Sequence, residues 1–350
     1  MPHRRPLGRR RPGRSLFLLV ALPALVALLT LASGGAAFAQ ASAAGPVPSG
    51  LYKLTTASGF VEGCFAPCMC PVQWNQRLLG TVRLTDGAAQ PGYRVFDVTD
   101  VNWLVKGFEY WVTGSGTYRI GGAPVMHQLT LDLKVGDRDV VHYDSGLVPA
   151  VVSNDGTITI SINMNNLVCH DTVFNVTMRP LMPTEVVNYG LRNSLYQEGC
   201  FGLCECAIRS WPFTGRFGLT RLDANMSAIA VNTPADFGVV DLRGSVLDPD
   251  SAAPTGSPVT GGGLLHVDAS TSMQRLRVEL LENGAGPTRF DSGDVHWNGN
   301  LKRIDAAVAA DGFACYDRVY AIHAVRRPRS DMATQAIRTD PARPGVIPAP

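Results

Sequence analysis

Residues 126–133 read Met-His-Gln-Leu-Thr-Leu-Asp-Leu, and residues 273–280 read Met-Gln-Arg-Leu-Arg-Val-Glu-Leu. Leu129, Leu131 and Leu133 alternate with Gln128, Thr130 and Asp132; Leu276, Val278 and Leu280 alternate with Arg275, Arg277 and Glu279. A period of two sends one set of side chains to a buried face and the other to water, the signature of a half-buried strand. The two octets also match one another, 147 residues apart. One stretch therefore carries both the strand architecture and a duplication.

The duplication widens from there. Glu62-Gly63-Cys64-Phe65, followed by Cys68 and Cys70, returns as Glu198-Gly199-Cys200-Phe201, followed by Cys204 and Cys206. Gly80–Thr85 parallels Gly215–Thr220, Val112-Thr113-Gly114-Ser115-Gly116 parallels Val259-Thr260-Gly261-Gly262-Gly263, and Tyr143-Asp144-Ser145-Gly146 parallels Phe290-Asp291-Ser292-Gly293. Each copy closes on Cys-x-Asp-x-Val-aromatic: Cys169, Asp171, Val173 and Phe174, then Cys315, Asp317, Val319 and Tyr320. The offset grows from 136 at the first cysteines to 146 at the last. The second copy thus carries an insertion.

Ile158, Ile160 and Ile162 add a further alternating run, and Asp86-Gly87, Gly121-Gly122, Asp155-Gly156, Asn283-Gly284, Asn298-Gly299 and Asp311-Gly312 supply hairpin turns. No long amphipathic helical pattern intervenes. The predicted fold class is all-β: two tandem homologous antiparallel β-sandwich or β-barrel domains, stapled by disulfides. They are predicted over 50–180 and 187–328, joined by a linker at 181–186, preceded by a flexible lead at 40–49 and followed by a disordered tail at 329–350. The alanine-rich run Asp305–Ala310 is predicted as strand, because its counterpart Thr159–Met164 is strand-like. Gly114-Ser115-Gly116 and Gly261-Gly262-Gly263 lack the helix that a phosphate cradle requires, so a bulge or turn is expected there.

Arg4, Arg5, Arg9, Arg10, Arg11 and Arg14 precede an uncharged run from Leu16 to Leu31, and Ala37 and Ala39 follow. This is the layout of a signal peptide over residues 1–39. A retained anchor is the alternative, but the run is interrupted by Pro23 and falls short of the roughly 20 residues a spanning helix needs. The chain has 31 Lys+Arg and 29 Asp+Glu, a net of +2. Removing the six leader arginines leaves 25 basic residues against 29 acidic ones, a net of −4. Nucleic acid is excluded as a partner on that balance, and no transmembrane segment is expected after cleavage. The expected location is secreted or periplasmic.

Eight cysteines, four per copy, read in an exported chain as a disulfide framework of Cys64, Cys68, Cys70, Cys169, Cys200, Cys204, Cys206 and Cys315. Two cysteines on one strand face, separated by one residue, lie roughly 6.5 to 7 Å apart, which suits a bridge poorly. Cys169 is thus expected to join Cys68 or Cys70, with Cys64 closing a small loop onto the other. The alternative is a soft-metal site for copper or zinc, built from Cys64, Cys68, Cys70 and Cys169 with His170 beside them. No histidine is shared by the two copies: His170 faces Tyr316, and His142 faces Arg289. Without that alternative no cofactor is implied.

Carboxylates at matching positions are Glu62 with Glu198, Asp97 with Asp241, Asp144 with Asp291, and Asp171 with Asp317. A pair in one cleft could serve a secreted hydrolase, the second alternative. Asp-Ser-Gly is more simply a turn whose Asp accepts backbone N–H groups, and no Gly-x-Ser-x-Gly, His-Glu-x-x-His or P-loop pattern occurs. Catalytic residues are therefore not assigned. Trp103, Phe108, Tyr110 and Trp111 cluster in the first copy, whereas the matching segment Asp248–Thr255 has no aromatic. Trp103 is expected in the core, and Tyr110 and Trp111 are the candidate ligand-binding aromatics. The function that follows is an exported binding or structural module of the cell surface or periplasm, with a protein, a carbohydrate or a small ligand as partner.

Overall fold

The computed structural model describes residues 45–68, 72–223, 234–247 and 256–328. The signal peptide, the tail, Cys70 and the segment 248–255 lie outside them. The first copy forms β1 (Gly50–Leu54), β2 (Gly59–Cys64), β3 (Gln73–Asp86), β4 (Tyr93–Val105), β5 (Tyr110–Gly121), β6 (Met126–Val135), β7 (Val140–Asp144), β8 (Val148–Pro149), β9 (Ile158–Asn163) and β10 (His170–Pro180). The second forms β11 (Val186–Leu191), β12 (Ser194–Gly199), β13 (Arg209–Arg221), β14 (Ala235–Val246), β15 (Ser257–Asp268), β16 (Met273–Glu282), β17 (Thr288–Asp291), β18 (Val295–His296), β19 (Arg303–Ala309) and β20 (Asp317–Arg326).

Each copy is a closed antiparallel ring, so the barrel form of the predicted architecture is the one the hydrogen bonds draw. In the first, β2 to β7 pair in sequence, β7 meets β9, β9 pairs β10 and β10 returns to β2; β1 runs alongside β2's two neighbours and pairs both β3 and β10. The second repeats this with β12 to β17, β19 and β20, and β11 in the place of β1. The inward rows are those the alternation marks: Leu129, Leu131 and Leu133 with Ile158, Ile160 and Ile162 in one, Leu276, Val278 and Leu280 in the other, all buried. Trp103 is buried against Phe174 at a ring separation of 5.7 Å. Apolar side chains fill the inside while polar ones such as Gln128, Asp132 and Glu279 point outward, the inverse of a membrane-spanning barrel. The alanine-rich run is strand β19, as expected.

Two local features differ from the sequence expectation. First, the glycine triplets lie in regular strand; the bulge is on the neighbouring strand. On β4 the register against β5 slips between Val98 and Val101, opposite Gly116 and Gly114, and on β14 it slips between Val239 and Leu242, opposite Gly263 and Gly261. The glycines allow backbones to close in: a Cβ on Gly114 would stand 2.1 Å from the Asp132 carbonyl oxygen, and one on Gly261 would stand 2.0 Å from that of Glu279. The bulged residues are Asp100 (φ 51°) and Asp241 (φ 52°), so the partner of Asp241 is Asp100 rather than Asp97. Second, the lead is packed from Gly45 onward. Val47 is buried in the first core, and its carbonyl accepts a hydrogen bond from Arg94 at 2.7 Å.

The copies pack through the outer faces of β3, β4 and β5. Leu79, Leu104 and Trp111 leave the first barrel outward and meet Leu222 and Leu264 of the second in an apolar cluster separate from both cores. The linker is a single 3-10 turn, Pro183–Glu185. Glu185 is held by both nitrogens of the Arg179 fork, at 2.7 and 2.6 Å, and by Lys53 at 3.8 Å. Burial lowers the Lys53 ammonium pKa, and Glu185 opposes that shift.

Candidate binding cleft at the barrel junction

The outward row of β16 shows how the copies diverge. In the first copy the corresponding row, Gln128, Thr130 and Asp132, faces water, and Asp132 pairs with His142 across β6 and β7 at 2.7 Å with both side chains exposed. The equivalent pair, Glu279 and Arg289 at 3.6 Å, is covered by the first barrel. Thr113 of β5 donates to Glu279 at 2.7 Å and accepts from Arg289 Nη2 at 2.8 Å. Arg289 also donates to the carbonyls of Lys134 and Gly136, and its guanidinium lies 4.9 Å from the Trp111 ring centroid. Desolvation pushes Arg289 below the usual guanidinium value and Glu279 above the usual carboxyl value.

Arg277 stands where the first copy has Thr130. It is 7% exposed. Its Nη1 donates to the Glu109 carbonyl at 3.2 Å and its guanidinium lies 6.0 Å from Trp111, but Nε has no hydrogen-bond partner among the described residues. No described carboxylate comes within ion-pair distance of it; Asp291 instead holds Arg275 at 2.6 Å. Desolvation, with Arg275 adding repulsion, lowers the Arg277 pKa. These groups line a cleft of about 340 Å³, walled by Tyr110, Trp111 and Gly136 from one barrel and by Arg275, Arg277 and Arg289 from the other. Such a volume is at the lower end of small-molecule sites.

Tyr110 and Trp111, neighbours on a strand, face opposite ways and yet both reach this cleft. Trp111 is buried and donates through Nε1 to Asn102 at 3.3 Å. Tyr110 is half-buried, packs on Phe108 at 5.2 Å and carries the Arg138 guanidinium 5.2 Å above its ring. The arginines were legible only by comparing the aligned octets, where Gln128 and Thr130 become Arg275 and Arg277; in isolation they read as a solvated face.

The described cysteines sit at one end of each barrel. Cys68 bridges Cys169 with Cα atoms 4.7 Å apart, Cys204 bridges Cys315 at 5.2 Å, and Cys200 bridges Cys206 at 5.1 Å. Cys64 is also disulfide-bonded, and Cys70 lies outside the described residues. His170 is exposed and pairs in register with Cys64 on β2. Among the described residues no group of three His, Cys, Asp or Glu side chains is placed to hold a metal.

Most of the shared carboxylates are structural acceptors. Asp171 is fully buried and takes N–H bonds from Met164, Asn165, Leu167 and Thr172; Asp317 takes them from Ala310, Asp311, Phe313 and Arg318. Asp144 and Asp291 each accept from the glycine of their Asp-Ser-Gly turn at 2.8 Å. Glu62 binds Arg138 bidentately, and Glu198 accepts from the Tyr316 hydroxyl at 2.6 Å.

No protein-family model and no curated protein matches the chain. A crystal structure from Bacteroides fragilis NCTC 9343, of a protein described as a "putative outer membrane protein", aligns with 80% of this chain and 97% of its own at 9% identity. Its TM-score is 0.22, too low to say anything of this chain's fold or activity.

Proposed function

We propose that the protein is an exported binding module of the cell surface or periplasm, and that it holds a small ligand in the cleft between its two barrels. The export reading rests on the leader and on disulfides, which persist in oxidising compartments. The ligand reading rests on one observation: a cleft of about 340 Å³ whose aromatic wall comes from the first copy and whose arginine wall comes from the second. Duplicated scaffolds that differ at their junction have the form of a specialised site on a common frame.

The test is a thermal-shift screen of the secreted protein against glucose, galactose, benzoate, phosphate and a dipeptide. A shift of several degrees with one of them, lost in Tyr110→Ala, supports the reading; no shift with any overturns it. Metal analysis of the same preparation, with intact mass after alkylation without reductant, separates the alternatives. Stoichiometric copper or zinc with free thiols would favour a soft-metal carrier instead.

A further inference from the structure

We infer that the cleft takes a small monocarboxylate, with the Arg277 guanidinium as its counter-ion. The inference rests on the binding reading above and adds the chemical class of the ligand.

The charge balance at the cleft carries it. Three arginines face it, and two are already answered: Arg275 by Asp291 at 2.6 Å and Arg289 by Glu279 at 3.6 Å. Glu109 hydrogen-bonds Arg277 only through its backbone carbonyl, and its carboxylate pairs with Lys106 at 3.3 Å, a lysine shared with Asp236 at 3.1 Å. Arg277 therefore stands nine-tenths buried with one hydrogen bond and no ion pair among the described residues, and with Nε unpartnered there. A buried charge without a counter-charge is costly, and a removable anion relieves that cost in the bound state. Asp137 also lines the cleft, and its negative charge beside Arg289 disfavours a dianion, so a single negative charge at Arg277 suits the site better than a phosphate. The guanidinium fork matches a planar carboxylate in geometry. Within a wall that also carries Asp137 and Asp291, Tyr110, Trp111 and Ala310 form a patch that suits a small aromatic body on that carboxylate. The duplication supplies the control, since Thr130 at the matching place in the first copy carries no charge.

The experiment titrates the full secreted chain with benzoate, benzamide and inorganic phosphate, following tryptophan fluorescence and heat. Benzoate is expected to bind at least tenfold more tightly than either of the others. Arg277→Met should abolish benzoate binding and raise the thermal midpoint of the ligand-free protein, because an unanswered buried charge is gone; that rise also shows that the variant folds. Arg277→Lys should retain part of the affinity. Equal binding of benzoate and benzamide would overturn the inference and leave the binding reading in place. Stronger binding of phosphate would replace a carboxylate with a dianion and overturn it too. Absence of binding by all three, together with a negative wider screen, would overturn both.

Discussion

Asp100 and Asp241 occupy the same bulge in the two copies, and both are held by one guanidinium, that of Arg83. Arg83 Nε reaches Asp100 Oδ2 at 2.8 Å, and its Nη2 binds Asp241 Oδ1 across the junction. In the second copy the position of Arg83 is Gly218. The duplicated bulges thus bring two like charges to the contact, and a residue present in only one copy bridges them, while Arg243 gives Asp241 a second partner at 3.5 Å. Arg83→Ala is expected to leave the aspartates repelling one another and to cost about 1 to 2 kcal/mol, modest because the site is partly solvated. Calorimetry should show the single transition broadening or splitting as the barrels uncouple. Adding Asp241→Asn should recover part of the loss, and a double variant no better than the single one would disprove this account.

Asp171 and Asp317 each organise the loop that brings the last cysteine of a copy to its partner. Four backbone N–H groups converge on each buried carboxylate. An amide in its place offers one acceptor oxygen and puts a donor among donors. Asp171→Asn and Asp317→Asn are each expected to cost about 2 to 4 kcal/mol. Urea unfolding measures this. A cost below half a kilocalorie for either would mean that the loop holds its shape without its carboxylate.

The two bridges in the second copy close loops of very different length, six residues for Cys200–Cys206 and 111 for Cys204–Cys315. Loop entropy assigns the long bridge roughly 5 kcal/mol and the short one about 2. Replacing Cys204 and Cys315 together by serine should lower the urea midpoint more than replacing Cys200 and Cys206. The reverse order would show that native-state packing at the barrel end outweighs the constraint on the unfolded chain.

How far the chain is readable from its residues depends on what each residue answers to. Leu129, Leu131 and Leu133 answer to their own strand, so period and facing direction are plain in the sequence, and Asp305–Ala310 is read as strand through its counterpart. Sequence matching pairs Asp97 with Asp241, but the bulge that makes Asp100 the true equivalent is a hydrogen-bond register, which spacing does not encode. Arg277 has the pattern of a solvent-facing residue, and within its own barrel it is one. Only the other barrel buries it. Val47 is likewise claimed by a core that its flanking prolines and small residues do not announce.

His127 marks a second divergence, with a consequence for pH. It lies buried in the first barrel with the Tyr118 hydroxyl 3.2 Å from Nδ1, and the second copy has Gln274 there. Burial lowers its pKa to about 4 from an ordinary 6.5. In the unfolded chain the imidazole takes up its proton near pH 6.5, whereas the folded protein refuses it until about pH 4. The unfolded state therefore holds more protons between those values, so stability is whole above pH 6.5 and falls as the pH drops through that window, by up to about 3 kcal/mol. His127→Gln, which copies the second barrel, removes the titrating group while keeping a polar side chain of similar reach. The wild-type thermal midpoint should decline between pH 7 and pH 4.5 more steeply than that of the variant. Parallel declines would assign the loss to other groups, and a steeper decline in the variant would reverse the role given to His127.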